Sequence, residues 1–201
     1  MAVREDLTPY RYRAVIAYVG TDFHGWQIQR NASRTVQAVL EEALTRFDGA
    51  PVRTGDLLAP LIGAAPGEVV VCDSTTVNLY KLVGAALDDG ALVTDRANFP
   101  TDRYVLEGVA RRHRRELRLF EPDPIDGPLP EDVEAACSDG EVALVSLSHV
   151  AYRSGALADI EAIGAATAAP VLWDVSHSAG AVPIELERCG VGLAVGCTYK
   201  Y

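Results

Sequence analysis

The residues best placed to do chemistry stand just after short apolar runs. Asp174 closes the run Val171 to Asp174, and His177 lies three residues on. Thr198-Tyr199-Lys200-Tyr201 follows the run Leu193 to Cys197. Phe99-Pro100-Thr101-Asp102 follows Ala91 to Thr94, Asp73-Ser74-Thr75-Thr76 follows Val69 to Cys72, and Ser148-His149 closes Val142 to Ser148. Hydroxyls at the start of a helix cap its free N–H groups, and the same N–H groups can cradle a phosphate. A carboxylate keeps a pyridine nitrogen protonated, an aromatic ring stacks on the heterocycle, and a lysine forms a Schiff base with an aldehyde. Pyridoxal phosphate (PLP) is the single ligand that wants all four.

Each group also has a plainer account. Ser74 and Thr75 can be simple helix caps, Phe99 a packed ring at a helix start, and a single lysine a solvated surface charge. The order and placement of the groups favour the ligand. Lys200 follows an apolar strand, where burial would lower an amine's pKa from its free value of about 10.4.

The elements that must position these groups can be read from periodicity. The runs Val69 to Cys72, Ala91 to Thr94, Leu117 to Phe120, Val142 to Ser148, Val171 to Asp174 and Leu193 to Cys197 read as strands. Between them, Val77 to Leu87, Asp102 to Arg114, Glu131 to Cys137, Leu157 to Ala168 and Ile184 to Cys189 read as helices. Strands this apolar, alternating with helices, predict an α/β fold: a mostly parallel sheet with helices on both faces. Ligands of such sheets sit beyond the carboxyl ends of the strands, where the groups above lie. Upstream, Tyr12 to Tyr18 reads as a strand. Val36, Val39, Leu40, Ala43, Leu44 and Phe47 mark an amphipathic helix from Thr35 to Phe47.

Composition narrows the function classes. The 201 residues hold 18 Lys+Arg against 28 Asp+Glu, a formal net charge of −10, which argues against a general nucleic-acid binder. Hydrophobic residues at 49% and charged residues at 23% are globular values, which excludes disordered and collagen-like chains. The charge is uneven: residues 1–54 carry seven basic and six acidic side chains, so the surplus of acid lies downstream. Cys72, Cys137, Cys189 and Cys197 are scattered without metal-ligand spacing, so no metal site is expected. Arg111-Arg112-His113-Arg114-Arg115 ends a predicted helix and reads as a solvated terminus facing the helix dipole. With neither a signal peptide nor a membrane span in sequence, a cytoplasmic protein is expected.

From about Gly55 to Tyr201 the sequence resembles the kynureninase family, PLP enzymes with the aspartate-aminotransferase fold. The stretches GDLLAPLIGAAPGEVVVCDSTTVNLYKLVGAAL, LVTDRANFPTDRYVLEGVA, LSHVAYRSG and LWDVSHSAGAVPIELERCGVGLAVGCTYKY carry the resemblance. It implies that Ser74 and Thr75 contact the cofactor phosphate, that Phe99, Pro100, Thr101 and Asp102 wrap its ring, and that Ser148 touches it. It further implies Asp174 as the pyridinium partner with His177 beside it, Tyr199 as a phosphate and proton-transfer neighbour, and Lys200 as the Schiff-base lysine. The implied reaction is hydrolysis of L-kynurenine to anthranilate and L-alanine, in a homodimer. Family members continue past this lysine into a further domain, so impaired turnover is expected of this chain.

The first segment resembles a different family. RYRAVIAYVGTDFHGWQIQRNASRTVQAVLEEALTRF is similar to the opening of the tRNA pseudouridine synthase A family, from about Tyr10 to Arg53. That family's catalytic aspartate is expected in a GRTDAGVHA motif, where this sequence reads Thr54-Gly55-Asp56-Leu57-Leu58, so no catalytic residue is carried over. The expected division is 1–54 as a synthase-like fragment and 55–201 as the PLP-binding core. Transfer-RNA binding or modification, and a nonfunctional fusion product, are the alternative functions.

Overall fold

The structure, a computed structural model, describes residues 35–48 and 53–200. The strand expected at Tyr12 to Tyr18 lies outside them. Helix α1, Val36–Asp48, follows the period seen in the sequence, with Thr35 Oγ1 accepting from Ala38 N. Next come α2 (Thr54–Leu58), a short 3-10 turn (Ala59–Leu61) and α3 (Thr75–Ala86).

Five strands form one sheet: β1 (Ala91–Asp95), β2 (Leu117–Phe120), β3 (Val142–Ser148), β4 (Val171–Asp174) and β5 (Leu193–Val195). Their order is β2-β1-β3-β4-β5, and each pair is parallel. Helices α4 (Pro100–His113), α5 (Pro130–Cys137) and α6 (Ile160–Ala165) make the crossovers. Because successive strand residues face opposite sides, the core is split in two. Leu92, Leu144, Leu172 and Val195 pack with Leu79 and Val83 of α3 and Leu106 and Val109 of α4. Val93, Val145, Leu147 and Trp173 pack on the other face with Val133 of α5 and Ile160 and Ile163 of α6. Helices on both faces of a parallel sheet agree with the sequence-based expectation.

Two expected elements are absent, each for a backbone reason. Val69 to Cys72 joins no ladder, and Val70 is 72% exposed. Instead, α2 lies against it so closely that a Cβ on Gly55 would come within 1.8 Å of Val69 O. Ile184 to Cys189 forms no helix, and turns run from Leu186 to Gly190. Leu186 and Glu187 donate their N–H groups to Ile62 O and Gly63 O, and Gly190, at φ +68°, ends the segment. Helix α6 is shorter than Leu157 to Ala168 because Leu157 bridges to Val150, and the Asp159 carboxylate accepts from Ala162 N to start the helix late. Among the described residues no helix is long and apolar enough to cross a membrane. Arg111 to Arg114 are exposed at the end of α4, where Arg114 takes the left-handed conformation at φ +55°.

Candidate active site

The carboxyl ends of β3, β4 and β5 bring most of the expected residues together. Asp174, the last residue of β4, is buried, and its Oδ1 accepts from Ser176 N at 2.8 Å. Asp102 enters from the first turn of α4 and is buried at 2% exposure. The carboxyl of Asp102 is pushed up to about 8, first by burial and then by the charge and hydrogen bonding of Asp174, with Lys200 acting against both. Its Oδ2 is buried without a hydrogen-bond partner in the structure. A buried carboxyl with an open oxygen beside a second carboxyl is an acceptor for a cationic N–H group.

The amine side of the site is Lys200, whose Nζ lies 2.9 Å from His177 Nε2. Lys200 is exposed, so the burial expected of it is not seen. Tyr199 is 81% exposed, with its ring centroid 5.6 Å from Lys200 Nζ. A hydrogen bond with Cys197 is the main reason its phenol is raised above the usual value. Phe99 precedes α4, with Pro100 at the first helical position, where a missing N–H is harmless, and Thr101 half-buried behind it. The Phe99 ring meets Tyr152 edge-on at 5.4 Å and His177 at 6.2 Å.

Helix α3 starts at the residues expected to meet the cofactor phosphate. Ser74 caps it, its side chain accepting from Val77 N at 3.4 Å. Thr75 Oγ1 donates to Gly196 O at 3.2 Å, tying the helix start to the chain that leads from β5 to Lys200. Asp73, just before the cap, has φ +35°, unusual for a residue with a side chain, and its carboxylate pairs with Lys81.

Ser148 lies at the end of β3, but its hydroxyl donates to Asn98 Oδ1 at 2.7 Å. Asn98 is the residue that sequence reasoning missed. Its Oδ1 also accepts from Phe99 N at 2.7 Å, and its Nδ2 donates to Thr94 Oγ1 and Ser146 O. One buried amide thereby fixes the turn that presents Phe99. Its signal was its position between the end of β1 and the Phe-Pro helix start. Among the described residues no cluster of three His, Cys, Asp or Glu side chains could hold a metal ion.

No protein-family model matches the chain. It is similar to the kynureninase of Pseudomonas fluorescens, with 42% identity over 160 residues, covering 74% of this chain and 37% of the relative. The kynureninase of Burkholderia pseudomallei (strain K96243) is 43% identical over 164 residues, covering 75% and 38%. The chain thus spans a little over a third of the length of these relatives. Among solved structures, the alanine–glyoxylate aminotransferase from Nostoc sp. matches with a TM-score of 0.59 and 26% identity, over 71% of this chain and 39% of that one. The NifS-like protein from Rickettsia africae matches with a TM-score of 0.64 and 16% identity, over 90% and 48%. The fold is that of the PLP-dependent, aminotransferase-like enzymes.

Proposed function

We propose that this chain holds PLP at Lys200 and serves the hydrolysis of L-kynurenine to anthranilate and L-alanine. The observation that carries the reading is the convergence of the Asp102 and Asp174 carboxyls with the Lys200 and His177 pair. The open Asp102 Oδ2 fits this cofactor, because a protonated pyridine nitrogen is a donor that such a buried carboxyl pair accepts. When bound, PLP supplies an electron sink for charge developing at the substrate α-carbon.

Each residue then has a defined task. Asp174, oriented by Ser176 N–H, holds the ring nitrogen, with Asp102 beside it sharing the proton. The N-terminus of α3, with Ser74 and Thr75, receives the phosphate. Phe99 covers the ring, and the Asn98 to Ser148 hydrogen bond keeps both ends of that wall in place. Lys200, oriented by His177, would supply the amine that holds the cofactor and the group that moves a proton at the substrate α-carbon. Tyr199 stands next to that proton path. The 42–43% identity to kynureninases supports the choice of substrate class, and a second copy of the chain is the partner this reading carries.

The test is to mix the protein with PLP, follow the visible band, reduce with borohydride and locate the modified lysine by mass spectrometry. Modification at Lys200, abolished in Lys200→Ala, is expected. Modification at Lys81 instead overturns the assignment. Anthranilate fluorescence after adding kynurenine reads the hydrolysis separately. Cofactor attachment without anthranilate would leave the cofactor site standing and remove the hydrolytic activity from this chain.

A further inference from the structure

The strand order reverses between β1 and β3: the chain steps outward from β1 to β2, then returns across β1 to β3. In open parallel sheets the crevice at such a reversal is where ligands bind. A cavity of about 200 Å³ lies there, bounded by the loops that follow β1, β2 and β3. Asp102, Asp174, His177 and Lys200 do not line it, although Asn98, Phe99 and Ser148 are common to it and the candidate active site.

Its walls are of a distinctive kind. Phe99 and Tyr152 stand nearly perpendicular, at 85°, and Pro122, Pro124 and Pro128 also line the cavity. The charged lining is mostly acidic: Asp95, Glu121 and Asp123 against a single guanidinium, Arg153. All three acids are partly engaged: Glu121 pairs with Arg96, Asp123 Oδ1 accepts from Ile125 N and Asp126 N, and the Asp95 carboxylate accepts from backbone N–H groups of Ala97 and Asn98 near the Arg103 charge. Asp95 is buried at 4% exposure, and burial pushes its carboxyl up to about 6, so it is mostly ionised at neutral pH. Arg153 shows what the pocket prefers. Its guanidinium lies 5.6 Å from the Tyr152 ring centroid, and its Nε donates to Tyr152 Oη at 3.0 Å. The aromatic face is thus already used by a cation of the chain itself.

We propose that this crevice is a binding site for a small organic cation of the alkylammonium class, held by the faces of Tyr152 and Phe99 and by the surrounding carboxylates. Aromatic faces beside carboxylates attract such cations through the ring quadrupole and the negative potential together. Arg153 competes for the same ring, and an incoming cation displaces it toward solvent, where it is already exposed. The assignment shares the Phe99 wall with the cofactor reading but uses neither the carboxyl pair nor the lysine, and Tyr152 and Arg153 belong to it alone.

The test uses the full chain, with choline as the probe and 3,3-dimethyl-1-butanol as its uncharged isostere, measured by calorimetry and saturation-transfer NMR. Choline is expected to bind about tenfold more tightly than the alcohol. Arg153→Gln removes the internal competitor and is expected to tighten choline binding about threefold, a gain that misfolding cannot produce. Tyr152→Leu keeps an apolar wall and is expected to weaken binding about tenfold. Equal binding of the alcohol, weaker binding in Arg153→Gln, or no saturation transfer to choline would overturn the proposal. The same results are expected with and without PLP, so loss of the cofactor assignment would leave them unchanged.

Discussion

Lys200 Nζ and His177 Nε2 share one hydrogen bond of 2.9 Å across the gap between the end of β5 and the turn after β4. Two nitrogens at this distance hold one proton between them, with one donating and the other accepting. The flexible lysine side chain is therefore held at one point while its tip stays exposed.

Replacing His177 by Phe keeps a ring against Phe99 and removes that hydrogen bond. A hydrogen bond of this kind contributes about 1.5 kcal/mol. Borohydride trapping of PLP at Lys200 should therefore slow severalfold, with denaturant stability falling by no more than the roughly 0.5–1.5 kcal/mol of that one exposed hydrogen bond. A loss of stability well beyond about 1.5 kcal/mol would mean that the histidine acts through packing.

Asn98 fills its hydrogen-bonding capacity inside the protein, joining β1, β3 and the start of α4. Asn98→Ala leaves the Ser148 hydroxyl and the Phe99 N–H buried without that acceptor, at a cost of about 2–3 kcal/mol. Urea denaturation should show this as a lower midpoint with an unchanged slope, and PLP affinity should fall because Phe99 is no longer fixed.

The contrast between Asn98 and Asp174 shows what was legible in the sequence. Asp174 could be found because it ends an apolar run, and runs of that kind do become parallel strands, as β1 to β5 show. Asn98 could not, because its role depends on Ser146 and Ser148, some fifty residues away and brought close only by the pairing of β1 with β3. The missing strand at Val69 to Cys72 fails for the same reason. Its composition favours extension, but strand formation needs a ladder partner, and α2 occupies the neighbouring space. Tyr12 to Tyr18 lies outside the described residues, so the expectation for it stands as a sequence reading alone.

Gly63 tests the docking that replaced the expected helix at Ile184 to Cys189. It has φ +62°, and a Cβ there would come within 2.5 Å of Glu185 Cα. Gly63→Ala therefore combines backbone strain with a backbone clash, and a loss of about 2–4 kcal/mol is expected. Gly67, with φ +88° and open space around it, is the control, and Gly67→Ala should cost only about 1 kcal/mol. Equal losses at both positions would show that the close approach of 62–63 to 184–187 contributes nothing.

The carboxyl pair makes stability depend on pH with a defined sign. Asp102 holds its proton to about 8 in the folded chain, against an ordinary carboxyl value of 3.8, so the folded state binds the proton more tightly than the unfolded state. Its contribution is complete below about pH 4 and is lost as pH rises through about 8. Asp95 acts in the same direction over a narrower window that closes near pH 6. Asp102→Asn resembles the protonated acid and can donate its amide N–H to the Asp174 carboxylate. It should flatten the decline between pH 6 and pH 8, and at pH 8 it should be more stable than the parent by on the order of 2 kcal/mol. Asp95→Asn should flatten only the portion below about pH 6. Urea midpoints measured every half pH unit for the three proteins give the comparison. A parent curve that rises between pH 6 and pH 8, or an Asp102→Asn protein less stable than the parent at pH 8, would show that the two carboxyls do not share a buried proton.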